Sequence, residues 1–191
     1  MVEYDIGRFV ELLEKLEKMK SQPRSIKKDY MVEETTNSEI CAECGGMCCK
    51  KCGCHFSPDD FVDVSFEGLK TELEKGYISI DYVSGEMIDQ RGGFYILRIR
   101  NRGAKIVDLE YKRTPCILLT ESGCKLGYGE RPTGGKLLIP SAEFHNFFGE
   151  MERNCHSAYT IEDCCMEWKP YQEILGKLVH YFKDKDFSCL L

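Results

Sequence analysis

The segment CAECGGMCCKKCGCH, residues 41–55, holds six cysteines among fifteen residues. It constrains the fold more than any other stretch. Gly45 and Gly46 permit the sharp backbone turn that bringing these thiols together needs. Cys41 with Cys44, and Cys49 with Cys52, are C-x2-C knuckles. Two intervening residues let both sulfurs reach one ion while the amides of the turn point at them. Thiolate is a soft donor, suited to zinc and iron–sulfur clusters and ill suited to magnesium or calcium. Lys50 and Lys51 offset part of the negative charge. The knuckles lie closer together than the pairs of a zinc ribbon, which are separated by roughly 15–20 residues. Nor is this the C-x2-C-x2-C-x3-C-P run of bacterial ferredoxins. The loop is therefore expected to share ligands with distant cysteines, or to hold more than one ion.

The distant candidates fall in two groups. Cys116 and Cys124 flank CILLTESGC, a hairpin that brings both thiols to one end. Cys155, His156, Cys164 and Cys165 sit in NCHSAYTIEDCC. Burial as a small hydrophobe is the alternative for any single cysteine, and it suits Cys189. It suits paired and adjacent cysteines poorly. Disulfides are the other alternative among the twelve cysteines. The N-terminus MVEYDIGRFVELLEKLEKMK lacks the basic start and apolar stretch of an export signal, so a cytoplasmic location with reduced thiols is expected. The vicinal pairs Cys48–Cys49 and Cys164–Cys165 rarely form relaxed disulfides. His55 is a possible nitrogen donor, although a surface or capping role accounts for it.

Around these cysteines the chain reads as α+β, a single domain over residues 1–191. Residues 3–20 form an amphipathic helix, with Ile6, Phe9, Val10, Leu13 and Leu16 on one face and Glu11–Lys15 and Glu14–Lys18 paired outside. A polar connection follows over 24–38. SPDDF starts a short helix at residue 58, capped by Ser57 with Asp59 and Asp60 at its positive end. A second helix spans about 66–75, closed by Gly76. YISIDYV and GFYILRIRNRG alternate as strands joined by SGEMIDQRGG, with Ile78, Ile80 and Tyr82 sharing a face. AKIVDLEY and CILLT add short strands. Residues 127–140 are rich in Gly and Pro and read as irregular. A last helix covers 168–183, with Pro170 near its start and Tyr171, Ile174, Leu175, Leu178, Val179 and Phe182 as its stripe.

The motifs resemble those of the YkgJ-like CxxCxxCC cysteine-cluster family of zinc- or iron-chelating domains. CAECGGMCC is similar to the family's first block. PCILLTESGCKLGYGERP is similar to its second, in which a cysteine, an apolar pair, Gly-Cys and Arg-Pro occur in order. The resemblance covers about a quarter of the chain and implies Cys41, Cys44, Cys48, Cys49, Cys116 and Cys124 as metal ligands, with Arg131 and Pro132 shaping the adjoining loop. The chain departs from the pattern twice. GGM places three residues before the cysteine pair where the family has two, and Gly135 stands where the family has a cysteine three residues after Pro. Cys52, Cys54, Cys155, Cys164 and Cys165 are the natural substitutes.

The remaining features exclude more than they suggest. A net charge of -6 opposes general nucleic-acid binding, and no apolar run reaches membrane-spanning length. Arg98 and Arg100 share a strand face, near Arg91, Arg102 and Arg113, and Phe94 is placed to stack. An anionic partner is one reading, and a solvated strand face is the one favoured by the acidic balance. TGGK and GYGE match no phosphate-binding motif. His145 lies in apolar surroundings and reads as packing. No acid–base grouping argues for catalysis. The sequence therefore predicts a metal-binding protein holding zinc in a structural or metal-handling role. The alternatives are an iron–sulfur protein with a redox role and a metalloenzyme. Metal is the expected partner, with no membrane.

Overall fold

The alternating stretches form an antiparallel hairpin. β1 (Ile78–Ser84) pairs with β2 (Gly93–Ile99) in a register running from Ile78 opposite Ile99 to Ser84 opposite Gly93. The link is a 3-10 turn, Gly85–Ile88. β3 (Val107–Asp108) adds to β1 in parallel, giving the sheet order β2-β1-β3. The other edge of β2 is covered as well. Phe56 N–H donates to the Leu97 carbonyl and Ile99 N–H to the Cys54 carbonyl, both at 2.9 Å, with His55 opposite Arg98. The cysteine-rich loop thus ends as an extra strand that masks an open edge.

This is a computed structural model of the chain. It describes residues 47–51, 53–110, 114–121, 123–141, 154–157 and 159–185, all within the compact unit Val32–Leu191. The expected helix over 3–20, the connection over 24–38, and Cys41, Cys44, Cys52, Arg113, His145 and Cys189 lie outside the described residues.

The architecture is α+β. α1 (Met47–Lys51) precedes a 3-10 turn, Pro58–Asp60, where Ser57 caps as the sequence predicts. α2 (Phe66–Glu74) starts at Ser65, whose hydroxyl accepts from Gly68 N–H, and it buries Leu69 and Leu73, one helical turn apart. β4 (Leu119–Thr120) and β5 (Gly123–Cys124) form the expected tight hairpin. The stretch read as irregular is instead a series of short elements: a 3-10 turn at Tyr128–Glu130, α3 (Thr133–Lys136) and β6 (Leu138–Ser141). β6 pairs with β7 (Asn154–Ser157), Pro140 opposite Cys155.

The expected helix over 168–183 is present from residue 172, and the residues before it, read as a cysteine-containing loop, hold a further helix. α4 (Ile161–Trp168) is capped by Thr160, whose hydroxyl accepts from Asp163 N–H while the Asp163 carboxylate accepts from Thr160 N–H. Pro170 cannot donate to the helical ladder, and a 3-10 turn, Lys169–Tyr171, links α4 to α5 (Gln172–Phe182). α4 and α5 lie against β2, and α2 lies near β1 and α5. The Gln172 side chain bonds both backbone groups of Tyr95, each at 2.8 Å. Trp168 is wholly buried, and its indole N–H donates to the Phe56 carbonyl at 2.7 Å. Among the described residues no helix is long and apolar enough to cross a membrane.

Strict alternation fails within the hairpin. Ile78, Ser79, Ile80 and Asp81 are all buried, and only Tyr82 on β1 is exposed. The polar face of the hairpin is internal. Arg98, read from sequence as solvated or anion-facing, has 0 % exposure, and Arg100 has 5 %. Arg98 Nε donates to Asp81, and an outer guanidinium nitrogen donates to Asp108 at 3.1 Å. The Ser79 hydroxyl also donates to Asp81, at 2.8 Å. A buried cation needs such partners because desolvation is otherwise unrecovered.

Candidate metal centre

Beyond Ile99 the β2 backbone continues through Arg100, Asn101 and Arg102, and the segment bearing Cys116 pairs with it. Ile117 N–H donates to the Arg100 carbonyl at 3.0 Å, Arg102 N–H donates to the Pro115 carbonyl at 2.8 Å, and Cys116 sits opposite Asn101. The buried Asn101 side chain accepts from Gly53 N–H at 2.8 Å. Cys116 N–H donates to the Cys49 carbonyl at 2.7 Å. One end of the hairpin therefore fastens the cysteine-rich loop at residues 49 and 53 and the second cysteine block at 116. Gly53 is required here, since a Cβ would run into the Ile99 carbonyl and carbon.

Cys124 joins through the small hairpin. It is paired with Leu119, whose N–H donates to the Cys116 carbonyl at 3.2 Å. Burial pushes the Cys116 thiol up to about 12, and the neighbouring Cys54 and Cys124 sulfurs push in the same direction. Cys54 and Cys124 are half-buried, while Lys50 and Lys51 are exposed on α1.

α3 closes over the same place. Its first turn is held by Asp60, whose carboxylate accepts from Thr133 N–H at 2.8 Å and from the Thr133 hydroxyl at 2.9 Å. The same carboxylate accepts from Ser57 N–H at 2.9 Å. Asp60 thus does more than favour a helix start: it ties two remote turns together. Gly134 N–H donates to the His55 carbonyl at 3.0 Å. His55 is neither a surface residue nor a cap. Burial, with the charge of Arg98 second, lowers its pKa to about 4, so the ring is neutral at pH 7.

The predicted ligands are thus distributed unevenly. Cys49, Cys54, Cys116 and Cys124 come to one end of the hairpin. Cys48 lies on α1, whose backbone runs near β7, the strand that carries Cys155. Cys164 and Cys165 are not in a loop before the last helix; they lie within α4, wholly buried. The Cys164 thiol is 3.6 Å from the Phe56 carbonyl, which also accepts from Trp168. Burial raises both thiols, Cys165 to about 11. Their placement is that of small side chains filling a helix–sheet seam.

Among the described residues no group of three or more His, Cys, Asp or Glu side chains is arranged to hold a metal ion. The neighbours of Cys116 include the Cys54 and Cys124 sulfurs, soft donors of the kind that zinc and iron–sulfur clusters take. Sequence reasoning missed Asn101 and Asp60 as organisers, and no local signal marks the first. Comparison with family models, curated proteins and solved structures gave no match.

Proposed function

We propose that the chain is a metal-binding protein that holds zinc through clustered cysteine thiolates, in a structural or metal-handling role in a reducing compartment such as the cytoplasm. One observation carries the reading. Segments around residues 49–54, 116 and 124 are fastened together by backbone bonds and by Asn101, so that cysteine-bearing segments remote in sequence meet at one end of the hairpin. Plain burial accounts for Cys164 and Cys165 and does not account for half-buried Cys54 and Cys124 beside Cys116. Of these, the YkgJ-like motifs favour Cys49, Cys116 and Cys124, with Cys41, Cys44 and Cys48 as further donors. Neutralising these sulfurs would stabilise the folded chain, by an apparent amount on the order of 10–16 kcal/mol in zinc-finger peptides.

The test is elemental analysis of protein purified without oxygen. Zinc in fixed proportion to chain, in colourless protein, is the expected result. Iron with sulfide and a brown colour would replace zinc by the iron–sulfur alternative. Ordered protein free of both metals would overturn the proposal.

A further inference from the structure

We infer that the cavity between α2 and the Pro58–Asp60 turn is a binding site for a small organic cation, an ammonium group carried on an apolar body. The site is separate from the cysteines. The cavity has a volume of about 520 Å³, within the span of pockets that hold small ligands. Its inner wall is apolar. Phe56 is buried there with Ile78 and Ile99, the pair at one end of the β1–β2 register. Phe61 and Tyr77, both half-buried, line it nearer to solvent. The Phe61 ring lies 5.2 Å from Phe56 and 5.8 Å from Trp168, centroid to centroid, the latter edge-on. Packing against the core therefore fixes this aromatic wall before any ligand arrives.

Charge selects the occupant. Besides Tyr77, the ionisable side chains lining the cavity are Asp60, Asp63, Glu72 and Glu130, and all four are acidic. Asp60 accepts from Ser57 and Thr133, Asp63 from Ser65 and Glu130 from Gly127. These neutral donors orient the carboxylates without cancelling their charge. Glu72 pairs with Lys75 at 2.7 Å. The cavity is thus left with an excess of negative charge beside rings whose faces are electron-rich, a combination that attracts an ammonium group and repels anions. A metal ion is a poorer match, since these carboxylates form no group that could hold one and aromatic rings offer a hard cation no donor. Val62, fully exposed where it lines the cavity, adds apolar surface for the body of the ligand.

Phenethylamine, protonated at neutral pH, tests the site against 2-phenylethanol, a neutral molecule of the same size, by NMR titration of the full chain. The amine should bind about tenfold more tightly than the alcohol, the effect of two exposed charge pairs, and should shift the ring signals of Phe61 and Tyr77. The double variant Glu72→Gln/Glu130→Gln keeps the shape of the rim and removes two charges. It should weaken the amine by about tenfold and leave the alcohol unchanged. Thr71→Arg, at an exposed lining position, sets a fixed cation at the rim and should abolish amine binding. Raising the ionic strength from about 0.01 M to about 0.15 M, which shortens the screening length from about 30 Å to about 8 Å, should weaken the amine as well. Equal affinity for amine and alcohol overturns the inference, as does a natively folded variant of either kind with wild-type amine affinity. Calcium that displaces the amine at equal concentration would make this an acidic metal site and overturn it too. An oligolysine peptide that binds there while phenethylamine does not would give the cavity to a protein partner and end the small-ligand assignment.

Discussion

Arg98 shows how far a single residue can depart from its apparent role. Placed between Ile96–Leu97 and Ile99, it neutralises Asp81 and Asp108 inside the hairpin. Arg98→Met would leave two facing carboxylates without their cation. A loss of about 3–5 kcal/mol at pH 7 is expected in denaturant titrations, the range for breaking a buried pair. Acidification should then recover stability, because protonating the carboxylates removes their repulsion. In the native protein burial lifts Asp81 to about 6 against the pull of Arg98. The sign follows: a raised folded pKa contributes stability that is complete below the unfolded carboxylate pKa and is lost as pH rises through about 6. Asp81→Asn should flatten the wild-type change in midpoint between about pH 4 and pH 6; an unchanged slope would assign it to other groups. None of this was readable locally. Arg98 and Arg100 carry the alternation of an exposed face, and the carboxylates that internalise Arg98 come from β1 and β3.

At the scale of elements, what the sequence revealed depended on whether the signal was local. Period-two patterning located β1 and β2, and Ser57, Asp59 and Asp60 marked their turn. The apolar stripe of 171–182 located α5, while α4 stayed hidden because Cys164 and Cys165 read as ligands in a loop. Thr160-Ile-Glu-Asp163 was a usable capping signal for α4. Thr160→Ala should lower stability by about 1 kcal/mol, measured by thermal or urea unfolding, and Thr160→Ser should restore most of it. α3 was obscured by its own composition, since TGGK reads as loop while its glycine at 135 answers to Cys54, 81 positions away in the chain only by tertiary approach. The candidate site was legible in the knuckles and in Cys116 and Cys124. Its fastening was not, because Asn101 reaches Gly53 across 48 residues. Asn101→Ala would leave the Gly53 N–H buried without that acceptor. A loss of about 1–3 kcal/mol is expected, together with weaker zinc binding in competition with a chelator; stability loss with zinc affinity intact would separate Asn101 from the thiol site.

Across the whole molecule, two kinds of cohesion are divided between regions. β1, β2, α2, α4 and α5 share an apolar core with Leu69, Leu73, Leu97, Trp168 and Leu178 fully buried. The segments around Cys49–Cys54, Cys116, Cys124 and α3 are built from short elements and backbone bonds, which bury less apolar surface and open more easily. Chelation should therefore raise amide hydrogen exchange most in residues 49–56 and 115–137 while β1, α2 and α5 keep their protection. Uniform deprotection would mean that metal and core cannot be separated. Trp168 makes such opening visible without any added dye. It is the chain's one tryptophan, and its indole is clasped to the backbone two residues beyond Cys54. Its emission should move to longer wavelength when that clasp lets go, so the protein carries an optical gauge of whether its sulfur-bearing strand is seated.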